Sequence, residues 1–435
     1  MGVSYSFSAE LYEGAYRAFR EFVPLSQDRK PLSWSTLPYA FAYFIPFLFM
    51  GYLVRRANTH LIRLLLLPTV IGLTLRCSYG YKLMNPVYFI LDWARTLVAL
   101  VIISKALDFA FAQNGRFKVG EKRLRGINEP LPKSDPDNEA MHEPTDAFAR
   151  LPPWLSDALE VSLAVRGIGW DFGQGTYLPQ SRRPRERGPF LRATAASLLL
   201  NLLYLDLSTS VVESVPGVGS VSGGSIFLPY LPLPLRYTVS TIVHLCAGIM
   251  VMSGLEAGDD LLTLLFVGVL GQPPSEWRPI QENPWAAQSL HELWAKRWHQ
   301  LLRRTFMVFG GFLGQWVAGD LGLVIGVFVA SGLYHEVGLQ TADSRVTLFF
   351  VLQGVGVLCE TAWKKLTGRR VGGLAGRVWT YLFVVGLGQM TTDAWCGRGL
   401  GGAVLIIPEW MSVFRTFLGP AFAWITQTLL QYNHA

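Results

Sequence analysis

The sequence predicts an all-helical, polytopic integral membrane protein with roughly 8 to 10 transmembrane helices. Of its 435 residues, 51% are hydrophobic and only 16% are charged. Several apolar runs approach the about 20 residues that a helix needs to cross a bilayer. Lys and Arg collect between these runs, and only Arg95 and Arg415 lie within them. This composition excludes an ordinary soluble enzyme of this length.

The apolar runs follow one another along most of the chain. Some are too short to span, and we expect these to be re-entrant or interfacial pieces. The candidates are 37–54, 64–75, 86–103, 195–212, 239–252, 261–270, 306–317, 321–339, 346–363, 378–390 and 403–430.

The polar stretches divide the chain into four predicted segments. These are an N-terminal segment 1–35, a first transmembrane bundle 36–105, a cytosolic polar loop 106–192 and a catalytic transmembrane region 193–435. The loop is assigned to the cytosol because it is rich in Lys and Arg. Its middle, Asn128–Glu139, is charged and Pro-rich and predicts a flexible surface loop. Residues 214–234, rich in Gly, Ser and Pro, predict a loop on the opposite face.

The net charge of +7 fits this topology and anionic lipid headgroups, and no nucleic-acid partner is expected. The first residues are too charged for a cleavable signal peptide, so the first apolar span would direct insertion. Four scattered cysteines predict neither a disulfide framework nor a zinc site, and we expect no metal. Asp92 and Arg95, at i and i+3 in an apolar run, are expected to neutralise one another. The glycines of 167–173 predict a tight turn at the membrane edge rather than a dinucleotide-binding loop.

One histidine, His335, lies inside the apolar run 325–339. An ionisable side chain at membrane depth is costly and marks a functional site. Ser331 and Gly332, one turn earlier, leave space beside the imidazole, as a substrate channel requires. A neutral imidazole can remove a proton from an alcohol at physiological pH. The alternative is a histidine that serves packing alone.

A second histidine, His299, follows a tryptophan-rich basic stretch. At 100° per residue, residues 289–305 predict an interfacial helix with Trp294 and Trp298 on one face and Lys296 and His299 on the other. The alternative is an anchor helix on which His299 is one more solvated residue.

The motifs Trp294-Ala-Lys-Arg-Trp-His299 and Ser331-Gly-Leu-Tyr-His-Glu336 together resemble the membrane-bound O-acyltransferase superfamily, in its wax-synthase-like branch. Further similar motifs are Arg166–Trp170, Glu282–Trp285, Gln353–Glu360 and Arg377–Thr380. The resemblance extends from Arg166 to about Trp395. Within the branch, the chain is most similar to fungal secondary-metabolite O-acetyltransferases that carry Trp-His where many members carry Trp-Asn.

This resemblance implies acyl transfer from acyl-CoA to a hydroxyl group in a membrane-embedded tunnel, without a covalent acyl-enzyme. His335 would be the general base, and His299 would position the thioester or stabilise the oxyanion. Acyl-CoA, expected to be acetyl-CoA, is a cosubstrate and not a permanently bound cofactor. Substrate or CoA binding is assigned to Trp294, Lys296, Arg297, Trp298, Arg303, Ser331, Gly332 and Glu336.

The resemblance also implies two classes of lipophilic alcohol acceptor. One is a terpenoid or meroterpenoid secondary metabolite, which is favoured, and the other is a long-chain alcohol that yields a wax ester. The endoplasmic reticulum membrane is the expected location, and the sequence leaves the oligomeric state open. Two hypotheses of other classes remain: a membrane carrier or channel in which His335 relays protons, and an inactive membrane scaffold.

Overall fold

The computed structural model describes residues 7–121, 148, 151–340, 343–403 and 407–434. The described residues form two compact units, one within Met1–Arg116 and Asp157–Leu163, the other within Phe117–Ser156 and Ala164–Ala435. The predicted loop Asn128–Glu139 lies outside the described residues. The predicted division into four segments stays a prediction.

The first unit is a small helical bundle. Its helices are α1 (Phe7–Phe22), α2 (Leu37–Ala40), α3 (Phe44–Val54), α4 (His60–Tyr79), α5 (Phe89–Phe111) and the greater part of α6 (Pro153–Leu163). Two short strands, β1 (Lys30–Pro31) and β2 (Tyr81–Lys82), pair in parallel. Arg95 donates to Asp92 across 2.9 Å, and both side chains are buried. The predicted neutralisation of this pair within an apolar helix is confirmed.

The second unit contains most of the chain. Its helices are α7 (Arg187–Glu213), α8 (Leu233–Gly268), α9 (Leu290–Glu292), α10 (Arg303–Phe306), α11 (Phe312–Gly338), α12 (Ser344–Thr367), α13 (Gly373–Tyr381), α14 (Leu387–Gly397) and α15 (Val413–His434). Wider helical turns of five residues occur at Leu293–Arg297, Met307–Gly311 and Leu382–Gly386. Apolar side chains of α9, α11, α12 and α14 form one of its cores.

Helix α8 replaces two predicted segments. The chain was expected to break between 252 and 261, where acidic residues interrupt the apolar run, but a single helix of 36 residues continues through them. The helix tolerates Asp260 because Arg183 donates to that carboxylate across 2.5 Å. The separation into two segments was therefore wrong, since a tertiary ion pair offsets the cost of the buried charge.

Residues 303–338 fold as a helical hairpin. The helical geometry fails at Ala318 and at Gly319, which has a positive φ of 59°. The two arms then pack so closely that a Cβ on Gly314 would overlap the backbone of Gly322. Small residues permit this backbone approach in membrane helices. The separate predicted segments 306–317 and 321–339 correspond to the two arms.

Six stretches of the described chain are long and apolar enough to cross a membrane, and the hairpin counts as one of them. They are His60–Tyr79, Pro86–Phe111, Arg187–Glu213, Leu233–Gly268, Arg303–Gly338 and Ser344–Thr367. The protein is thus a multi-pass, all-helical membrane protein. The predicted loop at 214–234 and the glycine turn at 167–173 both lie between helices as expected.

Candidate active site

The second unit encloses a cavity of 390 Å³ whose lining is mainly apolar. Its walls come from α8, α11, α12 and α14, and from the chain between Pro284 and Phe306. Small-molecule sites usually have volumes of about 300–1,000 Å³, with a few polar groups set among apolar ones. Both predicted catalytic histidines, His299 and His335, line this cavity.

His335 occupies the last turn of α11, at the end of the hairpin where α10 begins. Its Nδ1 lies 2.7 Å from the carbonyl oxygen of Ser331. A carbonyl only accepts hydrogen bonds, so Nδ1 carries the proton and Nε2 keeps its lone pair. The ring stacks on Phe350 with centroids 4.6 Å apart. These contacts fix the imidazole in the tautomer that a general base requires.

The chain from Ser289 to Thr305 is not one helix, and that prediction was wrong. Helix α9 continues into the wide turn Leu293–Arg297 and then ends, because Trp298 is extended with ψ 155°. Helical structure resumes only at Arg303. The break turns His299 into the cavity beside Trp294 and Trp298, whereas the helical arrangement had put it on the solvated face. Both histidines are therefore half-buried, and neither is simply solvent-facing.

The side chain of Gln300 holds the break open. Its amide nitrogen donates to the carbonyl oxygens of Trp294 (3.0 Å) and Trp298 (2.8 Å). Its backbone N–H donates to the carbonyl of Ile280. These bonds satisfy carbonyls that a continuing helix would have paired, so the interruption is stable in a buried setting.

Glu360 of α12 anchors the start of the same stretch. Its carboxylate accepts hydrogen bonds from the backbone N–H groups of Leu290 (2.6 Å) and His291 (3.0 Å). It also accepts from the indole N–H of Trp379, at 3.0 Å. A carboxylate that caps free N–H groups at a helix start is a strong interaction. Gln353, fully buried two helical turns before Glu360, accepts from the indole N–H of Trp294 and donates to the carbonyl of Phe383.

Arg166 anchors the loop that precedes the site. Its guanidinium donates to the carbonyl oxygens of Arg278 (2.7 Å) and Pro279 (2.9 Å). Further along, the backbone N–H of Glu282 donates to the carbonyl of Arg297. The motifs around Arg166, Gln353 and Glu360 thus form the frame that positions the stretch carrying His299.

His299 differs from His335 in its surroundings. Its Nδ1 is buried and has no hydrogen-bond partner among the described residues. Burial, with His335 as a smaller contribution, lowers the pKa of His299 to about 3. The ring is therefore neutral at physiological pH, so one of its nitrogens carries a proton and can donate a hydrogen bond.

The predicted site residues separate into two groups. Those that line the cavity are Trp294, Trp298, His299, Arg303, Ser331 and His335. Lys296, Arg297, Gly332 and Glu336 are not among its lining residues. Arg297 pairs with Glu292 at 2.7 Å, and Glu336 accepts a hydrogen bond from Thr347. Substrate or CoA binding by this second group stays a prediction.

Besides the exposed His291 of α9, His244 of α8 also lines the cavity, and the sequence analysis selected neither as a site residue. Its Nδ1 lies 2.8 Å from the hydroxyl of Thr392, and its Nε2 lies 3.1 Å from the carbonyl of Val384. Both ring nitrogens are therefore occupied. An isolated histidine in an apolar run was the available signal, as it was for His335.

This arrangement is suited to proton transfer in an apolar chamber. A hydroxyl that reaches Nε2 of His335 can give up its proton while it attacks a carbonyl group. The N–H group of His299 can donate to an oxygen on which negative charge develops. Arg303, which lines the cavity and donates to Thr176 at 3.1 Å, is a fixed positive charge beside it.

Comparison with known proteins agrees with this chemistry. Residues 277–352, which include both histidines, match the membrane bound O-acyl transferase family. The chain is 28% identical to the acetyltransferase aurG of Calcarisporium arbuscula over 216 residues. This aligned region is 45% of this chain and 52% of that relative. It is 25% identical to the O-Mevalon transferase yanI of Aspergillus niger over 273 residues, and this aligned region is 56% of this chain and 59% of that relative.

A plant protein is also similar. The probable long-chain-alcohol O-fatty-acyltransferase 2 of Arabidopsis thaliana is 33% identical over 134 residues, which is 26% of this chain and 39% of that relative. The chain thus spans little more than half the length of the first two relatives and less of the third. No solved structure matches it. One segment of the chain thus matches the membrane bound O-acyl transferase family, and the proteins it is similar to include fungal proteins named as acetyltransferases and a plant protein named as an alcohol acyltransferase.

Proposed function

We propose, from the place of residues 277–352 in the membrane bound O-acyl transferase family, that the protein transfers an acyl group from acyl-CoA to the hydroxyl of a lipophilic alcohol. The observation that carries the proposal is that His299 and His335 line one apolar cavity, with the lone pair of His335 Nε2 available. The acyl donor is acetyl-CoA, in agreement with the acetyltransferase names of several relatives.

The reaction needs one proton relay. Nε2 of His335 removes the proton of the acceptor hydroxyl while the oxygen attacks the thioester carbonyl carbon. The N–H group of His299 donates to the carbonyl oxygen as it becomes negative. The C–S bond then breaks, and the thiolate of CoA takes the proton from His335. Because the cavity holds both reactants close together, no acyl-enzyme is needed.

The acceptor is a terpenoid or meroterpenoid secondary metabolite, and the enzyme acts in the endoplasmic reticulum membrane. The apolar lining favours a hydrophobic skeleton. Acyl-CoA approaches from the side of Arg303, where a positive charge can meet its phosphates. A long-chain alcohol acceptor is the second candidate, and the 33% identity to the plant long-chain-alcohol acyltransferase favours it.

The test compares wild type with His335→Ala in yeast microsomes. Each is supplied with acetyl-CoA or a long-chain acyl-CoA and a panel of terpenoid and fatty alcohols, and esters are measured by mass. His60→Ala, a histidine of α4 that does not line the cavity, is the matched control. Loss of the general base should reduce turnover by about 10²–10⁴-fold.

Three results would contradict parts of the proposal. Full activity of His335→Ala would exclude its role as the base. Long-chain esters without acetyl esters would establish the second candidate. No ester from either donor with any alcohol, in wild-type protein that is folded, would favour the carrier or channel hypothesis. Size-exclusion profiles of the solubilised proteins check that His335→Ala still folds.

A further inference from the structure

Two residues that line the cavity carry polar atoms that the proposed reaction does not use. These are the hydroxyl oxygen of Thr391 and the indole nitrogen of Trp395, both on α14. Both atoms are buried, and neither has a hydrogen-bond partner among the described residues. Thr391 itself is only 3% exposed.

The two residues act from the same side of the helix. They are four positions apart, so their side chains are neighbours on one face of α14. The adjacent Thr392 provides a contrast, because its hydroxyl is bonded to His244 at 2.8 Å. A threonine in a helix commonly bonds the carbonyl four residues back, but Thr391 does not do so.

Leaving such groups unpaired is unfavourable. A buried donor or acceptor without a partner costs about 1–3 kcal/mol, and most in folded proteins are paired. Two on residues that line the cavity are therefore expected to meet a ligand or an ordered water. The indole N–H only donates, and the threonine hydroxyl can donate as well, so the matching ligand atom is an acceptor oxygen.

Two aromatic rings connect His335 with this part of α14 through a series of contacts. His335 stacks on Phe350 at 4.6 Å, and Phe350 packs edge-on against Phe349 with centroids 5.1 Å apart. Phe349 in turn lies 3.6 Å from where a Cβ of Gly388 would stand, about one helical turn before Thr391. A molecule that contacts both ends can lie along these two rings, which also line the cavity.

We propose that Thr391 and Trp395 bind a second oxygen of the acceptor alcohol, a ring carbonyl, ether or hydroxyl, at the end of a rigid skeleton remote from the reacting hydroxyl. This inference rests on the proposed acyl transfer and narrows its acceptor class. The acceptor is a doubly oxygenated polycyclic alcohol, and a simple fatty alcohol cannot satisfy these two groups. A site built to bond a polar group discriminates against the analogue without it, because its own groups then stay unpaired.

The test uses matched alcohols with the full-length protein in detergent. The pair is androsterone, a rigid alcohol with a remote ring ketone, and its analogue in which that ketone is a methylene; a shorter tricyclic pair of the same design accompanies it. Acetyl transfer gives kcat/KM for each alcohol, and the rise in Tm on addition of each alcohol reports binding without turnover. The variants Thr391→Val and Trp395→Phe each remove one polar group at nearly constant shape.

The controls remove the same groups elsewhere on the protein. Both controls lie on α12. Thr361→Val deletes a hydroxyl that already donates to the carbonyl of Val357, and Trp363→Phe removes the N–H group of an exposed indole. Wild type and both controls should prefer the keto alcohol by about 10- to 100-fold in kcat/KM. Each cavity variant should move that ratio toward one and reduce the extra rise in Tm.

The outcomes separate this inference from the proposed function. Equal kcat/KM and equal Tm shifts for both members of each pair in wild type would mean that the two atoms hold ordered water only, and would overturn the inference. An unchanged ratio in Thr391→Val and Trp395→Phe would overturn it as well. A keto preference in binding without any acyl transfer would support an oxygen-binding site at Thr391 and Trp395 but refute the acyltransferase and, with it, the acceptor role of the alcohol. Neither binding nor transfer would refute both.

Discussion

The carboxylate of Glu360 offers the sharpest test of how the site is built. It does not line the cavity, but it caps the stretch that ends in His299. Glu360→Gln keeps the shape and one acceptor oxygen. That oxygen can still receive the N–H of Leu290 and the indole of Trp379, which share Oε1. The new NH₂ group then faces the N–H of His291, which loses its acceptor.

The cost follows from that exchange. A hydrogen bond to a charged group contributes about 1.5–3 kcal/mol, and the substitution loses one such bond and weakens two. If the lost hydrogen-bond energy displaces His299 and appears entirely as a higher activation free energy, kcat decreases by about 10- to 150-fold. Trp379→Phe removes one donor and leaves the carboxylate with its two backbone partners, so its effect on kcat should be smaller.

The assay is acyl transfer at saturating and limiting acceptor, with Tm measured on the same preparations. Glu213→Gln is the matched control, since it breaks another carboxylate contact, to Arg415 at 2.7 Å, away from the cavity. The control should lower Tm and leave kcat unchanged. If Glu360→Gln lowers only Tm, as the control does, then the cap supports folding and does not position His299.

Three further outcomes are expected. His299→Asn should retain substantial activity because an amide N–H can still donate to the oxyanion, whereas His299→Leu should lose it; equal loss in steady-state assays of both would exclude the donor role. Because the pKa of His299 is lowered on folding, the unfolded chain binds more protons below pH 6.5. The free energy of unfolding therefore decreases as the pH falls from about 6.5 toward 3, by at most about 1.4 kcal/mol per pH unit from this histidine. The decrease of Tm with falling pH should be less steep for His299→Asn than for wild type, and parallel curves would contradict this expectation. Gly314→Val should separate the hairpin arms against Gly322 and lower Tm, unlike Gly248→Val, where a Cβ meets no neighbour within 4 Å.

The apolar pattern predicted the helical parts of the fold because lipid leaves the backbone few alternatives. It placed the hairpin break correctly, since Gly319 and Asp320 interrupt the run at the turn. It failed in α8, where Asp260 has the same local appearance as a break. The difference is the distant Arg183, which pairs with Asp260 across the fold and has no local signature.

The sequence predicted a site residue where an ionisable side chain lies in an apolar run at an energetic cost. It did not predict a side-chain orientation that depends on tertiary hydrogen bonds. His335 was selected because few causes retain a histidine in an apolar run. The orientation of His299 was not, because the residues around it favour a continuous helix. That helix ends through Gln300, whose side chain bonds the carbonyls of Trp294 and Trp298. Nothing in the spacing of these residues indicates such bonds.

Three of the four histidines that line the cavity, His244, His299 and His335, differ in how their ring nitrogens are used, and this difference bears on the roles proposed for them. His244 has both nitrogens engaged, by Thr392 and by the carbonyl of Val384, so it holds the wall. His335 has one nitrogen bound to a backbone carbonyl, which leaves a lone pair to accept a proton. Nδ1 of His299 has no partner among the described residues, so this ring can meet a developing charge. A histidine can contribute chemistry only through a nitrogen that the fold has not used, and we propose His335 as the base because its Nε2 keeps the lone pair.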